Sequence, residues 1–231
     1  MSPEMSSTAL HALDVVGRNN VHFRVESFLG DSSRLLPGPQ VFLVRQGPNS
    51  VLDAHFHAVS QFQLFTRGEA TLGRKPIATP VVHYADPWTT YGPISADDAG
   101  IDYFTIRMQA DVGAGFMPES RVGKPRSGRS LSIHLDMAGD EGSWGSRTLY
   151  SDAHDGLALH QVAVAPGHRP VLPPLTGAGR LFTILVGALD VEGRRHGEGT
   201  WGRAPDPSLD VSRAGELGAQ LLCFDFPVSS L

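Results

Sequence analysis

Apolar and polar residues alternate along much of this chain with a period of two, which is the signature of strands that bury one face. Val21-His22-Phe23-Arg24-Val25-Glu26 alternates in this way, and Gln40-Val41-Phe42-Leu43-Val44-Arg45 is a β-branched and aromatic run set between Pro37-Gly38-Pro39 and Gly47-Pro48-Asn49. The first reads as an edge strand and the second as an inner strand. Thr79 to Tyr84 and Asp102-Tyr103-Phe104-Thr105-Ile106-Arg107-Met108 continue the pattern, with Gly68 to Gly73 as a hairpin connection. Between them, Asp86-Pro87-Trp88-Thr89-Thr90-Tyr91-Gly92-Pro93 reads as a rigid, aromatic-bearing turn. Strands resume at Ser130 to Leu135, Leu157 to Val164, Arg180 to Val186 and Gln220 to Phe226. No segment holds a helical period over three turns, so the fold class is all-β. The first residues, Met1 to about Ser7, are small and polar and are expected to stay loose.

One stretch concentrates the chemistry: Ala54-His55-Phe56-His57-Ala58-Val59-Ser60-Gln61-Phe62-Gln63-Leu64. In extended backbone His55, His57, Gln61 and Gln63 share one face while Phe62 and Leu64 take the other. A face with two imidazoles and two carboxamides is not ordinary core, because each buried amide without a partner costs roughly 1–3 kcal/mol. It faces solvent or lines a polar pocket.

Composition leaves that reading in place. A length of 231 residues allows one large or two small domains. The formal charge of −5 is spread over both halves, with 8 Lys+Arg against 12 Asp+Glu in residues 1–120 and 11 against 12 in 121–231. No basic face is suggested, and nucleic acid is not an expected partner. The single cysteine, Cys223, rules out an internal disulfide and suits a cytoplasmic location. There is no secretion-type leader and no apolar run long enough to span a membrane. The 26 Gly and 17 Pro follow no low-complexity period and fit short strands joined by turns.

The spacing His55-x-His57-x3-Gln61-x6-Gly68 resembles the first sequence motif of the cupin superfamily, with glutamine where that motif has glutamate. The resemblance implies a double-stranded β-helix barrel holding one divalent metal. His55, His57 and Gln61 are then the expected ligands, and His83, on a nearby strand, is a candidate fourth. A shift of 119 residues lays Gly187 on Gly68 and Arg180 on Gln61, with Leu181-Phe182-Thr183-Ile184 beside Phe62-Gln63-Leu64-Phe65. Such self-similarity is what a duplicated barrel leaves. The chain therefore resembles a bicupin, with residues 1–120 as a cupin carrying the candidate metal site and 121–231 as a degenerate, structural cupin. The second half keeps no histidine of the motif, and Arg180 is expected to be ion-paired in its interior. The basic stretch Pro118 to Ser130 reads as the crossing between halves.

The chain departs from the family in its second motif, Gly-x5-Pro-x-Gly-x2-His. Laying the inner glycine on Gly92 puts Ser95 where the histidine belongs. For the metal, Fe(II) is favoured, with Mn, Co, Ni and Zn chemically admissible. A His/His/Gln set is neutral, so the ion keeps its double charge and favours an anionic substrate such as an enolate, phenolate or carboxylate. The implied activity is a mononuclear non-haem dioxygenase. The alternatives are a metal-dependent isomerase or lyase similar to the bicupin isomerase of bacilysin biosynthesis, or a non-catalytic ligand-binding cupin. Gln63 and Tyr91 are the candidate catalytic groups beside the ligands. A homodimer is expected from the resemblance alone. No P-loop, dinucleotide fingerprint or nucleophile elbow is present, and Cys223 in an apolar strand is expected to be inert.

Overall fold

The computed structural model describes residues 5–124, 128–135, 144–204 and 212–228. The chain divides into two compact units, Ala9–Leu135 and a second made of Met1–Thr8 with Asp136–Leu231. The strands in chain order are β1 (Met5–Ser6), β2 (His11–Val16), β3 (His22–Leu29), β4 (Gln40–Gln46), β5 (Val51–Leu52) and β6 (His55–Phe56). They continue with β7 (Gln61–Leu72), β8 (Lys75–Ala78), β9 (Val81–Ala85), β10 (Ile94–Arg107), β11 (Gly115–Phe116) and β12 (Ser130–His134). The remainder are β13 (Gly145–Asp152), β14 (Leu157–Val164), β15 (Gly179–Val191), β16 (Arg194–His196), β17 (Trp201–Ala204) and β18 (Arg213–Phe226). Among the described residues the only helical segments are two short 3-10 turns, so the all-β expectation holds.

In the Ala9–Leu135 unit the strands run β12-β9-β7-β10-β4-β3-β2, with β5 added to β10 and β8 to β7, while β6 and β11 form a separate pair. The second unit runs β1-β17-β15-β18-β14-β13, with β16 added to β15. The order repeats: a long central pair, β7–β10 or β15–β18, has a short hairpin strand on one side and a meander on the other. One backbone device recurs in each central pair. Gly68 has φ +87°, and a Cβ there would lie 2.0 Å from the Gly100 carbonyl oxygen. Gly187 has φ +78°, and its Cβ would lie 2.2 Å from that of Gly218. Both positions combine a left-handed conformation with a carbonyl oxygen too close for any Cβ, and only glycine meets both demands. The duplication read from the 119-residue shift is therefore present in the backbone.

Three details differ from the sequence reading. Gly68 bends the interior of β7, and the hairpin turn falls at Gly73 instead. Met5–Ser6, expected to be loose, pairs with Trp201 and Gly202 of β17. The compact unit containing the histidines extends past residue 120, because β12 pairs along the whole of β9, with Ser132 opposite His83. Strand pairing across some fifty residues leaves no local signature, whereas the polar stretch before β12 looks like a linker. Of that stretch, 125–127 lie outside the described residues.

Alternation places one apolar face of each strand inside. The first unit packs Phe65, Ile94, Ile101 and Tyr103 around Val44, Val81 and Ala85. The second packs Phe182, Ile184 and Leu189 with Leu221 and Cys223. Each fully buried large side chain contributes roughly 1.5–3 kcal/mol. Cys223 lies in this core with its thiol pushed up to about 12 by burial, as an inert thiol should. Trp201 is core, whereas Trp144 is 52% exposed. In the same unit Arg180 is buried against Asp225, its Nε and Nη2 reaching the two carboxylate oxygens at 2.5 and 2.6 Å. This is the interior ion pair expected of Arg180. Among the described residues no helix is long and apolar enough to cross a membrane.

Candidate functional site

The site is built where β6 is held on both sides. The His55 amide donates to the Tyr91 carbonyl and the Tyr91 amide returns to the His55 carbonyl, at 3.1 and 3.0 Å. On the other side β11 pairs with β6, with Phe116 opposite His55. Gln61 and Gln63 follow on β7, and Tyr103, Thr105 and Arg107 project from the same face of β10 in the register that sets Thr105 opposite Gln63.

These side chains form a directed chain of hydrogen bonds. His55 Nδ1 lies 2.7 Å from the Asp53 carbonyl, which only accepts, so that nitrogen carries the proton. His55 Nε2 is then a lone pair and accepts from the Tyr91 hydroxyl at 2.9 Å. The same hydroxyl oxygen accepts from Gln61 Nε2 at 2.5 Å. Gln61 Oε1 in turn accepts from Arg107 Nε at 3.0 Å and Nη2 at 2.8 Å. Each buried polar group in this run has a partner, as burial requires.

His57 stands beside the chain. Its Nδ1 donates to Asp111 Oδ2 at 2.6 Å, and the Asp111 carboxylate also accepts the Ala58 and Gly113 amides. Arg107 Nη2 comes within 3.1 Å of the same ring nitrogen. Burial, with the Arg107 charge adding to it, holds His57 below its ordinary pKa, so the ring is neutral. Burial pushes His55 down to about 3 and His83 to about 4, and it raises the Tyr91 phenol well above its usual range. The Arg107 guanidinium is itself lowered by burial, against the pull of Asp111 at 3.8 Å from Nη1.

A cavity of about 210 Å³ opens beside these groups. Phe23, Val25, Phe42, Val44 and Leu52 supply apolar wall, while His57, Gln63, Tyr91 and Arg107 supply polar wall. Nη1 of Arg107 makes no hydrogen bond within the protein, its nearest counter-charge being the Asp111 oxygen. Gln63 is 2% exposed, and its Oε1 has no hydrogen-bond partner. His83, across from Gln63 in the β7–β9 register, meets Ser132 Oγ at 3.3 Å through Nδ1 and has an unpartnered Nε2.

The expected metal ligands are thus brought near one another, but their donor atoms do not fit a divalent ion. His55 Nε2 is capped by Tyr91, and Gln61 Oε1 takes two N–H groups of Arg107. Among the described residues no three of His, Cys, Asp or Glu are placed to share an ion. An ion bound to Gln61 Oε1 would also lie within about 5 Å of the guanidinium, and at an effective dielectric of 20 that repulsion is on the order of 7 kcal/mol. Ser95, the second-motif position, lies away from the site and pairs with Thr71 and Val51. Tyr91 sits against His55 instead.

Sequence reading missed Arg107 and Asp111. Arg107 shares the parity of Tyr103 and Thr105, and a cation on the inward face of a strand was the available signal. Asp111 lies in a loop and left none.

No family model matches the chain, and no curated protein matches it in sequence. Solved structures do match in fold. Bacterial pirin YhhW of Escherichia coli, solved with nickel(II), aligns over 98% of this chain and 100% of its own with a TM-score of 0.60 and 10% identity. Oxalate decarboxylase of Bacillus subtilis, which carries Mn(II) centres, aligns over 100% of this chain and 79% of its own (TM-score 0.57, 10% identity). A cupin 2 conserved barrel domain protein from Leptotrichia buccalis aligns over 94% and 97% (TM-score 0.52, 14% identity). With the strand order repeated and the paired glycines in each half, the chain has the cupin fold twice over, as a bicupin.

Proposed function

We propose that the Ala9–Leu135 barrel is a metal-independent binding site for a small organic acid with an apolar body. The observation that carries this reading is Arg107, a buried cation on the cavity wall whose Nη1 makes no hydrogen bond within the protein. A carboxylate there gains a charge-assisted bond in a largely apolar surrounding, where such bonds are strongest. Gln61 holds the guanidinium plane through two bonds, and Asp111 neutralises part of its charge when no ligand is present.

General acid–base work by Tyr91 is not supported. An effective acid or base has a pKa near the working pH. Tyr91 is raised far above that range and His55 falls to about 3, so each holds its proton state through neutral conditions.

The metal-dependent reading, as a dioxygenase or an isomerase, has one observation in its favour. Both imidazoles have Nδ1 anchored on an oxygen, the arrangement that orients a ring to ligate through Nε2. It requires Tyr91 to release His55 and Arg107 to release Gln61.

Metal analysis of protein purified without chelator separates the two, with calorimetric titration of isocaproate as the carboxylate probe. Under the proposal, metal is far below one equivalent, isocaproate binds, and Arg107→Met abolishes binding while far-UV circular dichroism is unchanged. Stoichiometric metal, no isocaproate binding, or binding indifferent to Arg107→Met would refute it.

A further inference from the structure

Beside Arg107 Nη1 a second nitrogen stands idle at the cavity. His57 gives its Nδ1 hydrogen to Asp111 at 2.6 Å and the ring is neutral, so Nε2 carries a lone pair. The ring lines the cavity, and Nε2 is accessible and makes no hydrogen bond within the protein. Its direction is fixed, because turning the ring away would strand the fully buried Asp111 carboxylate.

The other idle groups on the wall are of a different kind. Gln63 keeps Oε1 sealed and presents its amide nitrogen, a donor, while the Thr105 and Tyr103 hydroxyls can donate or accept. Both nitrogens of His55 are occupied, and the Tyr91 hydroxyl already serves His55 and Gln61. Among the side chains lining the cavity, His57 Nε2 is thus the one idle group that can only accept. It faces two that can only donate, Arg107 Nη1 and Gln63 Nε2. A ligand matches this set if it is rich in oxygen and has one hydrogen to give.

We propose that the ligand of this cavity is a 2-hydroxy acid with an apolar side chain. Its carboxylate meets Arg107 Nη1, its hydroxyl donates to His57 Nε2, and its side chain lies against Phe42 and Val44. The Gln63 and Thr105 donors are left to its remaining lone pairs. The inference rests on the organic-acid reading of Arg107 and adds the hydroxyl to it. His57 Nδ1 and Arg107 Nη2 are 3.1 Å apart, and each idle nitrogen lies one imidazole or one guanidinium further on. That gap is at most about 8 Å, which two hydrogen bonds of about 2.9 Å and a pair of neighbouring ligand oxygens span. An unsubstituted acid leaves Nε2 idle, and an oxo acid sets a carbonyl lone pair against it. An amino acid brings a second cation beside Arg107 and three hydrogens for one fixed acceptor.

Four probes of one skeleton test it on the full chain: leucic acid as each enantiomer, isocaproate, 4-methyl-2-oxopentanoate and leucine. Calorimetric titration is expected to rank one enantiomer of leucic acid at least tenfold tighter than each of the other three probes. In His57→Phe leucic acid should fall to the affinity of isocaproate, while isocaproate itself changes by less than threefold. Should loss of the bond to Asp111 unfold that variant, the unaltered protein carrying 15N-labelled histidine gives the same reading. The His57 Nε2 resonance should move on adding leucic acid and stay in place on adding isocaproate. Isocaproate or either other probe binding as tightly as leucic acid, leucic acid binding indifferent to His57→Phe, or an unmoved Nε2 resonance overturns the hydroxy-acid assignment and leaves the Arg107 reading standing. Failure of all four to bind overturns both.

Discussion

Two buried histidines, His55 and His83, and the largely buried His57 make the stability of this unit depend on pH below neutrality. His55 is held at about 3 and His83 at about 4, and His57 is also lowered. The unfolded chain binds protons on these rings near pH 6.5, and the native state does not. Above that pH both states are neutral and nothing is lost. As the pH falls through 6.5 the unfolded state gains protons, and stability declines until the native pKa is reached. At roughly 1.4 kcal/mol per pH unit, His55 and His83 each remove about 2 kcal/mol between pH 7 and pH 5, or about 4 together, with His57 adding in the same direction. Depressed carboxylates act elsewhere: Asp86, Asp111 and Asp225 contribute above their unfolded pKa, near 4, and lose that contribution only as the pH falls further. Urea unfolding followed by tryptophan fluorescence and far-UV circular dichroism at pH 7, 6 and 5 measures the effect. With a slope of about 2 kcal/mol per molar urea, the midpoint should drop by about 2 M. His83→Leu removes one titrating ring, together with its bond to Ser132 and its ring contact with Tyr91, and should recover about 2 kcal/mol of the pH 7 to pH 5 loss. A midpoint constant to within about 0.3 M, a small fraction of the expected drop of about 2 M, would show that these rings are not buried neutral.

Other expectations are more local. Gly68→Ala forces a Cβ to within 2.0 Å of the Gly100 oxygen at φ +87° and should destabilise by about 3 kcal/mol or more, whereas Gly193→Ala, at φ +77° with open space around it, should cost about 1 kcal/mol in the same denaturation assay. Similar losses for the two would mean that the contact at Gly68 relaxes freely. Asp225→Leu strands the Arg180 cation in the interior and should cost about 3–5 kcal/mol, while the double change Arg180→Met with Asp225→Leu should be milder than either of its single changes. Additive losses in that double-mutant cycle would refute the coupling.

The sequence made the strands and one face of the pocket readable because both depend on local order. Alternation on β3, β4 and β10 follows directly from the period of two, and His55, His57, Gln61 and Gln63 fall on one face for the same reason. The repeat at Gly187 was readable because a backbone-to-backbone contact admits one residue type. What could not be read was pairing at a distance. Arg107 reaches Gln61 across 46 residues, and Asp111 reaches His57 across 54. Those two contacts turn a set of candidate ligands into a network centred on a guanidinium. The place of β12 beside β9 escaped for the same reason.

Met5–Ser6 sits at the sheet edge, and among the described residues its strand partners are Trp201 and Gly202 alone. During synthesis this segment emerges almost 200 residues ahead of the strand that receives it. At roughly 5–20 residues per second, it waits on the order of 10–40 s with its backbone groups hydrated. A bulky tag fused directly ahead of Met5 would burden a strand that docks late, and a nascent chain arrested before Trp201 would leave that strand without a seat.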